Sequence, residues 1–136
     1  EKNRNSDAFV KFLQIWVLPN QQNVPPRYAQ QTFSEAEKHN QLLTIVSPMG
    51  HTEGVNIYQN AWFSLGKLDK GVSVHYNLHD SNNGTYTFVL EGDVTVNEFA
   101  LNRRDGLGLL TATSMQITAD TDAEILVMEV PLLGEK

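Results

Sequence analysis

From Gln41 onward the chain is cut into short β-prone runs by turn residues about every ten positions, and no stretch carries a helical pattern of three turns or more. The runs are residues 42–46, 57–65, 72–78, 86–90, 94–96, 107–110, 115–118 and 123–129. Between them lie Pro48 with Gly50, Asp69 to Gly71, Asp80 to Gly84, Gly92 with Asp93, Asp105 with Gly106, and Asp120 to Asp122. Many short strands joined by tight turns mean an antiparallel sandwich or closed barrel, and the expectation is all-β: a double-stranded β-helix, or jelly-roll barrel.

The first third of the chain is different. Residues 9–18, "FVKFLQIWVL", are rich in β-branched and aromatic side chains, end at Pro19, and predict a buried strand. Then comes "PNQQNVPPRYAQQTF", a polar connection whose Pro25 and Pro26 suit neither a helix nor a central strand. "SEAEKH" predicts one helical turn capped by Ser34, with Glu37 at the capping-box position. The organisation expected is an N-terminal segment with a linker strand over residues 1–33 and a barrel over 34–136.

A chain of 136 residues accommodates a single domain with a real core. No apolar run approaches the roughly 20 residues that cross a bilayer, so no membrane partner is expected. The net charge is -6 and the only adjacent basic pair is Arg103 with Arg104, which leaves no positive face for nucleic acid. Cysteine is absent, removing disulfides, thiolate chemistry and thiolate metal ligands, and fitting a cytoplasmic setting.

Alternation places Val72, Val74, Tyr76 and Leu78 on one face of a strand and Ser73, His75, Asn77 and His79 on the other. In "TYTFVLEG", Tyr86, Phe88 and Leu90 oppose Thr85, Thr87 and Val89. The polar faces either line a wet cavity or meet solvent. A jelly-roll metal site takes two histidines one residue apart on a strand, then a carboxylate, then a histidine from a later strand, a donor set suited to divalent iron, manganese, nickel or copper. Here His75 has Asn77 as its partner, and His79 lies roughly 13 Å further along an extended strand. Thr85 stands where the carboxylate before Gly92 should be, and "GLGLLTATSMQITADTD" holds no histidine. No catalytic, cofactor-binding or metal residue is therefore expected in this chain.

His75 is expected to be a surface or part-buried histidine and His79 a loop residue; His39 and His51 lie in polar connections, the latter in a lone H-x-E with Glu53. No serine sits in a nucleophile elbow, and the glycines form no phosphate loop. Glu35 with Glu37, and Asp120 with Asp122, are solvated carboxylates. Trp16 is expected in a core or interface. Of the neighbours Trp62 and Phe63, one must leave the other's environment.

These residues carry a resemblance. "FLQIWVLPNQQNVPPRYAQQTF", with its Q-I-W run followed by Pro19, Pro26, Tyr28 and Gln30, closely resembles the link between the two barrels of pirin-like proteins, a family of the cupin superfamily. "GVSVHYNL", "FVLEGDVTVN", "RDGLGLL" and "AEILVMEVPL" resemble the family's second barrel. The resemblance implies a first barrel holding an iron-like metal on three histidines and a glutamate, a second barrel that has lost those ligands, and in some members a quercetin 2,3-dioxygenase activity. It matches Glu1 to the metal-binding glutamate, so that the chain would begin inside the first barrel, whose histidines it does not contain. The expected function is a non-catalytic second cupin domain with a structural or interaction role, its partner the first barrel or a second copy. Two alternatives are a metal-dependent dioxygenase formed by the intact protein, and a small-molecule-binding barrel using Ser73, His75, Asn77, Thr85 and Thr87.

Overall fold

The computed structural model describes residue 4 and residues 6–132. One helical turn, α1 (Glu35–Lys38), precedes ten strands: β1 (Leu43–Pro48), β2 (Val55–Ile57), β3 (Trp62–Leu68), β4 (Ser73–Asn77), β5 (Asn83–Glu91), β6 (Val94–Val96), β7 (Phe99–Leu101), β8 (Gly106–Leu109), β9 (Ser114–Ala119) and β10 (Ala123–Pro131). They form a six-stranded sheet in the order β2-β1-β3-β10-β5-β8 and a four-stranded sheet in the order β4-β9-β6-β7. All pairs are antiparallel except β1 with β2.

Side chains alternate across each strand, so each sheet offers the other one apolar face. Val127, Ile125 and Ala123 of β10, Val89 of β5 and Leu68 of β3 meet Tyr76 of β4, Met115, Ile117 and Ala119 of β9, and Val94 and Val96 of β6. The opposite face of the six-stranded sheet carries a second cluster of Ala61, Phe63 and Leu126, with Ile45, Leu65, Leu90 and Met128 half-buried around it.

The turns follow the punctuation in the sequence. Gly92 adopts φ +78° between β5 and β6, and a Cβ there would collide with the backbone of Asp122, so only glycine fits. Ser34 and Glu37 form the expected capping box on α1. The stretch expected as one strand over 57–65 is split, because the β1 to β2 pairing ends at Ile57 and a bend runs through residues 58–60 before Trp62 starts β3. The sequence pattern also missed β7, which is joined to β6 through Asn97, at φ 52°, and Glu98, without the glycine that marks most two-residue hairpin turns.

The largest departure is at the N-terminus. Residues 9–18 are extended but join neither sheet, and Phe9 is 99% exposed and Trp16 85%. The buried strand expected there is therefore an unpaired strap. Its apolar residues occur on both sides of the chain, so one row can meet this barrel only by leaving the other outside. Val17 packs on the outer cluster of the six-stranded sheet, Gln59 Nε2 donates to the Leu18 carbonyl at 2.9 Å, and Lys11 meets Glu91 at 3.4 Å. Between strap and sheet lies an open pocket of about 480 Å³, lined by Phe12, Leu13, Ile15, Phe63 and Leu126 together with the charged Lys11, Glu91, Arg104 and Glu124.

Candidate functional site

The polar centre of the molecule lies at one end of the barrel, where β10 and β4 finish side by side across the core. Glu129 follows Ala123, Ile125 and Val127 on the inward face of β10, and its side chain is fully buried. An isolated carboxylate there would be costly. Five donors satisfy it: the Tyr76 hydroxyl at 2.6 Å, the His79 backbone N–H at 2.9 Å, His79 Nδ1 at 2.8 Å, the Asp80 N–H at 3.2 Å and Asn83 Nδ2 at 2.9 Å. Glu129 thereby ties the loop after β4 to the last strand.

Burial pushes the Glu129 carboxyl up, but the donors from Tyr76, His79 and Asn83 outweigh it and hold the group below its ordinary value of 4.5. Burial, and then the neighbouring Glu129, pushes the Tyr76 phenol well above its usual range. An ionised carboxylate only accepts hydrogen bonds, so His79 carries its proton on Nδ1.

Above this network the indole of Trp62 stacks on the His79 ring, and the His51 ring meets the same indole edge-on with centroids 5.8 Å apart. Trp62 shares the inward side of β3 with Ser64 and Leu68, while Phe63 points to the outer cluster. The two neighbours do part company, as alternation requires.

The residues singled out as a polar face are divided. Ser73, His75 and Asn77 lie on the exposed side of β4, with His75 opposite Gln116 in register. Thr85 and Thr87 point into the core, where their hydroxyls reach Met115 Sδ at 3.7 and 3.8 Å. The ligand-binding face expected from Ser73, His75, Asn77, Thr85 and Thr87 is therefore two separate surfaces, because Thr85, Thr87 and Val89 form the core side of β5 while Tyr86, Phe88 and Leu90 turn outward.

Other candidates serve local structure. His39 Nε2 is 2.9 Å from Asp69, Glu35 pairs with Lys67 at 3.0 Å, and Glu37 belongs to the α1 cap. Asp120 accepts from Thr95 at 2.7 Å, Asp122 accepts from the Lys70 N–H at 2.8 Å, and Glu53 is exposed. Glu1 lies outside the described residues.

An iron-like ion does not fit this barrel. Among the described residues no three or more His, Cys, Asp or Glu side chains come together as a metal site. Thr85, Thr87 and Met115 fill the interior, and the Glu129 oxygens are occupied by donors. What the mouth does offer is a buried carboxylate holding one imidazole in a fixed tautomer.

Sequence reasoning passed over Glu129, Tyr76 and Asn83. The signal was present in "AEILVMEV", where strand alternation puts the glutamate on the same side as Ala123, Ile125 and Val127.

Comparison with known proteins agrees with the fold. A profile of quercetinase C-terminal cupin domains matches residues 44–130. Quercetin 2,3-dioxygenase of Escherichia coli K12 is 28% identical over 132 residues, covering 96% of this chain and 55% of that protein. Two crystal structures of YhhW from Escherichia coli superpose with TM-scores of 0.79 and 0.78 at 22% and 23% identity, covering 89% and 87% of this chain and 50% and 49% of theirs. The second is described as a bacterial pirin in complex with nickel(II). This chain spans about half the length of the curated relatives it matches. Among the described residues no helix is long and apolar enough to cross a membrane. With an all-β cupin barrel and a family match over most of that barrel, the chain is a pirin-like cupin domain and belongs to the quercetinase C-terminal cupin family.

Proposed function

We propose that this domain is a non-catalytic companion barrel that packs against a metal-bearing cupin barrel and shields one side of it. The observation that carries this reading is the strap: Phe9, Trp16 and Leu18 are 99%, 85% and 79% exposed, and Phe12, Leu13 and Ile15 line a pocket between strap and sheet. Isolated domains rarely present so many large apolar side chains on one short segment, and such a surface marks an interaction site. Support also comes from the family's two-barrel resemblance and from relatives about twice as long.

On this reading any dioxygenase activity belongs to the longer protein and to the other barrel's metal, and the cytoplasm is its setting. Without the companion the same surface drives self-association. Sedimentation velocity of the chain at high micromolar concentration tests this, alongside a variant with Phe9, Trp16 and Leu18 replaced by serine. The expected result is concentration-dependent association of the natural chain and a monomeric variant with unchanged circular dichroism. A clean monomer that binds no hydrophobic dye contradicts the proposal.

A further inference from the structure

The mouth of the barrel carries a group that companion-barrel packing does not use. His79 donates from Nδ1 to a fully buried carboxylate, and its ring is held by the Trp62 stack. Its other nitrogen, Nε2, has no partner among the described residues, and the side chain is 39% exposed while Glu129 is 0%. Since Nδ1 is turned to the buried side, the exposed edge is the one bearing Nε2. The ring therefore presents a fixed lone pair to solvent.

The other three histidines are built differently. His39 uses Nε2 on Asp69, an exposed carboxylate, at 2.9 Å. His51 lies edge-on to Trp62. His75 is exposed on the outer side of β4. Only His79 combines a buried carboxylate behind the ring with an available Nε2.

We propose that His79 Nε2 is a nucleophilic modification site for small acylating electrophiles, that is, activated carbonate and acyl esters. A carboxylate at Nδ1 fixes the reactive tautomer and stabilises the positive charge that develops on the ring during attack. With diethyl pyrocarbonate, Nε2 forms a bond to one carbonyl carbon as that carbon's bond to the leaving ethyl carbonate breaks. Glu129 stays ionised and stabilises the cationic acylated ring, which then loses its Nδ1 proton to water and leaves a neutral ethoxycarbonyl-imidazole. The ethyl carbonate decomposes to ethanol and carbon dioxide. Tyr76, which also donates to Glu129, holds the carboxylate in place as a positioning residue.

The test is limited labelling of the intact chain with diethyl pyrocarbonate at neutral pH, with each histidine followed by peptide mass spectrometry. His79 is expected to react several-fold faster than His75. In Glu129→Gln its rate should fall to that of His75. Because that variant can disturb the fold, the histidine tautomers of the natural chain are read independently from long-range proton-nitrogen NMR, where His79 should carry its proton on Nδ1. Labelling of His79 no faster than His75, or a proton on Nε2, overturns the proposal.

Discussion

The Trp62 indole lies parallel to the His79 imidazole, with ring centroids 4.2 Å apart and planes inclined by 1°. One ring comes from the first residue of β3 and the other from the loop after β4, so the stack joins the two sheets at the mouth of the barrel. Directly below it, Glu129 of β10 takes hydrogen bonds from the same loop. Replacing Trp62 by alanine removes the stack and the His51 edge contact together. The expected cost is about 2 kcal/mol, read as a lowered urea midpoint with little change in slope.

Glu129→Gln should be among the most damaging single changes in the chain. The amide keeps the volume but loses the charge that Tyr76, His79, Asp80 and Asn83 are arranged around, and its NH₂ confronts donors. The expected loss is about 3 kcal/mol by denaturant unfolding. A loss smaller than that of Trp62→Ala would show that the network is loosely held.

Stability should depend on pH through the same residue. The folded-state pKa of Glu129 lies below its ordinary 4.5, so its contribution is fully present above that value and is lost as pH falls through the depressed one. Tyr76 and His79 are the titratable side chains that donate to it, and the Tyr76 phenol, pushed upward, stays protonated throughout this range. Unfolding curves taken from neutral pH down to below 4.5 should show a decline in the natural chain that is shallower in Glu129→Gln.

Two glycines should behave differently on substitution by alanine. At Gly92 the backbone has φ +78° and an added Cβ meets Asp122 and Ala123, whereas at Gly50 φ is +92° with open space around it. Gly50→Ala should cost about 1 kcal/mol from backbone strain alone, and Gly92→Ala clearly more. Thermal midpoints of the two variants provide the comparison.

The strap makes the opposite prediction. Trp16 is 85% exposed, and the structure assigns it to no core cluster. Trp16→Ser should change the unfolding free energy by less than about 0.5 kcal/mol while weakening self-association. A large loss of stability would place Trp16 in the barrel's own packing.

Much of the barrel was legible because turns and alternation are local. Val94–Val96 is a strand as expected, Gly92 and Ser34 terminate elements where their backbone or capping chemistry demands, and the loss of the metal pattern at Asn77 and Thr85 could be seen in the residue types alone. The strap was misread because β propensity describes a side chain's fit to a sheet and is silent about whether a neighbouring strand exists. Which side of β5 faces inward was equally hidden. Thr85 and Thr87 are more polar than Tyr86 and Phe88, yet the core side is set by the register of β5 against β10, which brings Thr87 opposite Val127. Glu129 escaped because a charged residue near the end of an apolar run is easily assigned to solvent, and its burial depends on donors that lie 46 to 53 residues earlier in sequence.

This barrel keeps the cupin shape without a metal-binding donor set among the described residues: Thr85, Thr87 and Met115 lie in the core, and donors occupy the Glu129 oxygens. Elemental analysis of the purified chain, after incubation with iron, nickel, copper, manganese and zinc and removal of excess ion, tests it most directly. Well under one ion per chain should be retained for every metal, with the fold intact. Close to one ion per chain, lost on replacing His79 or His75 by alanine, would contradict it.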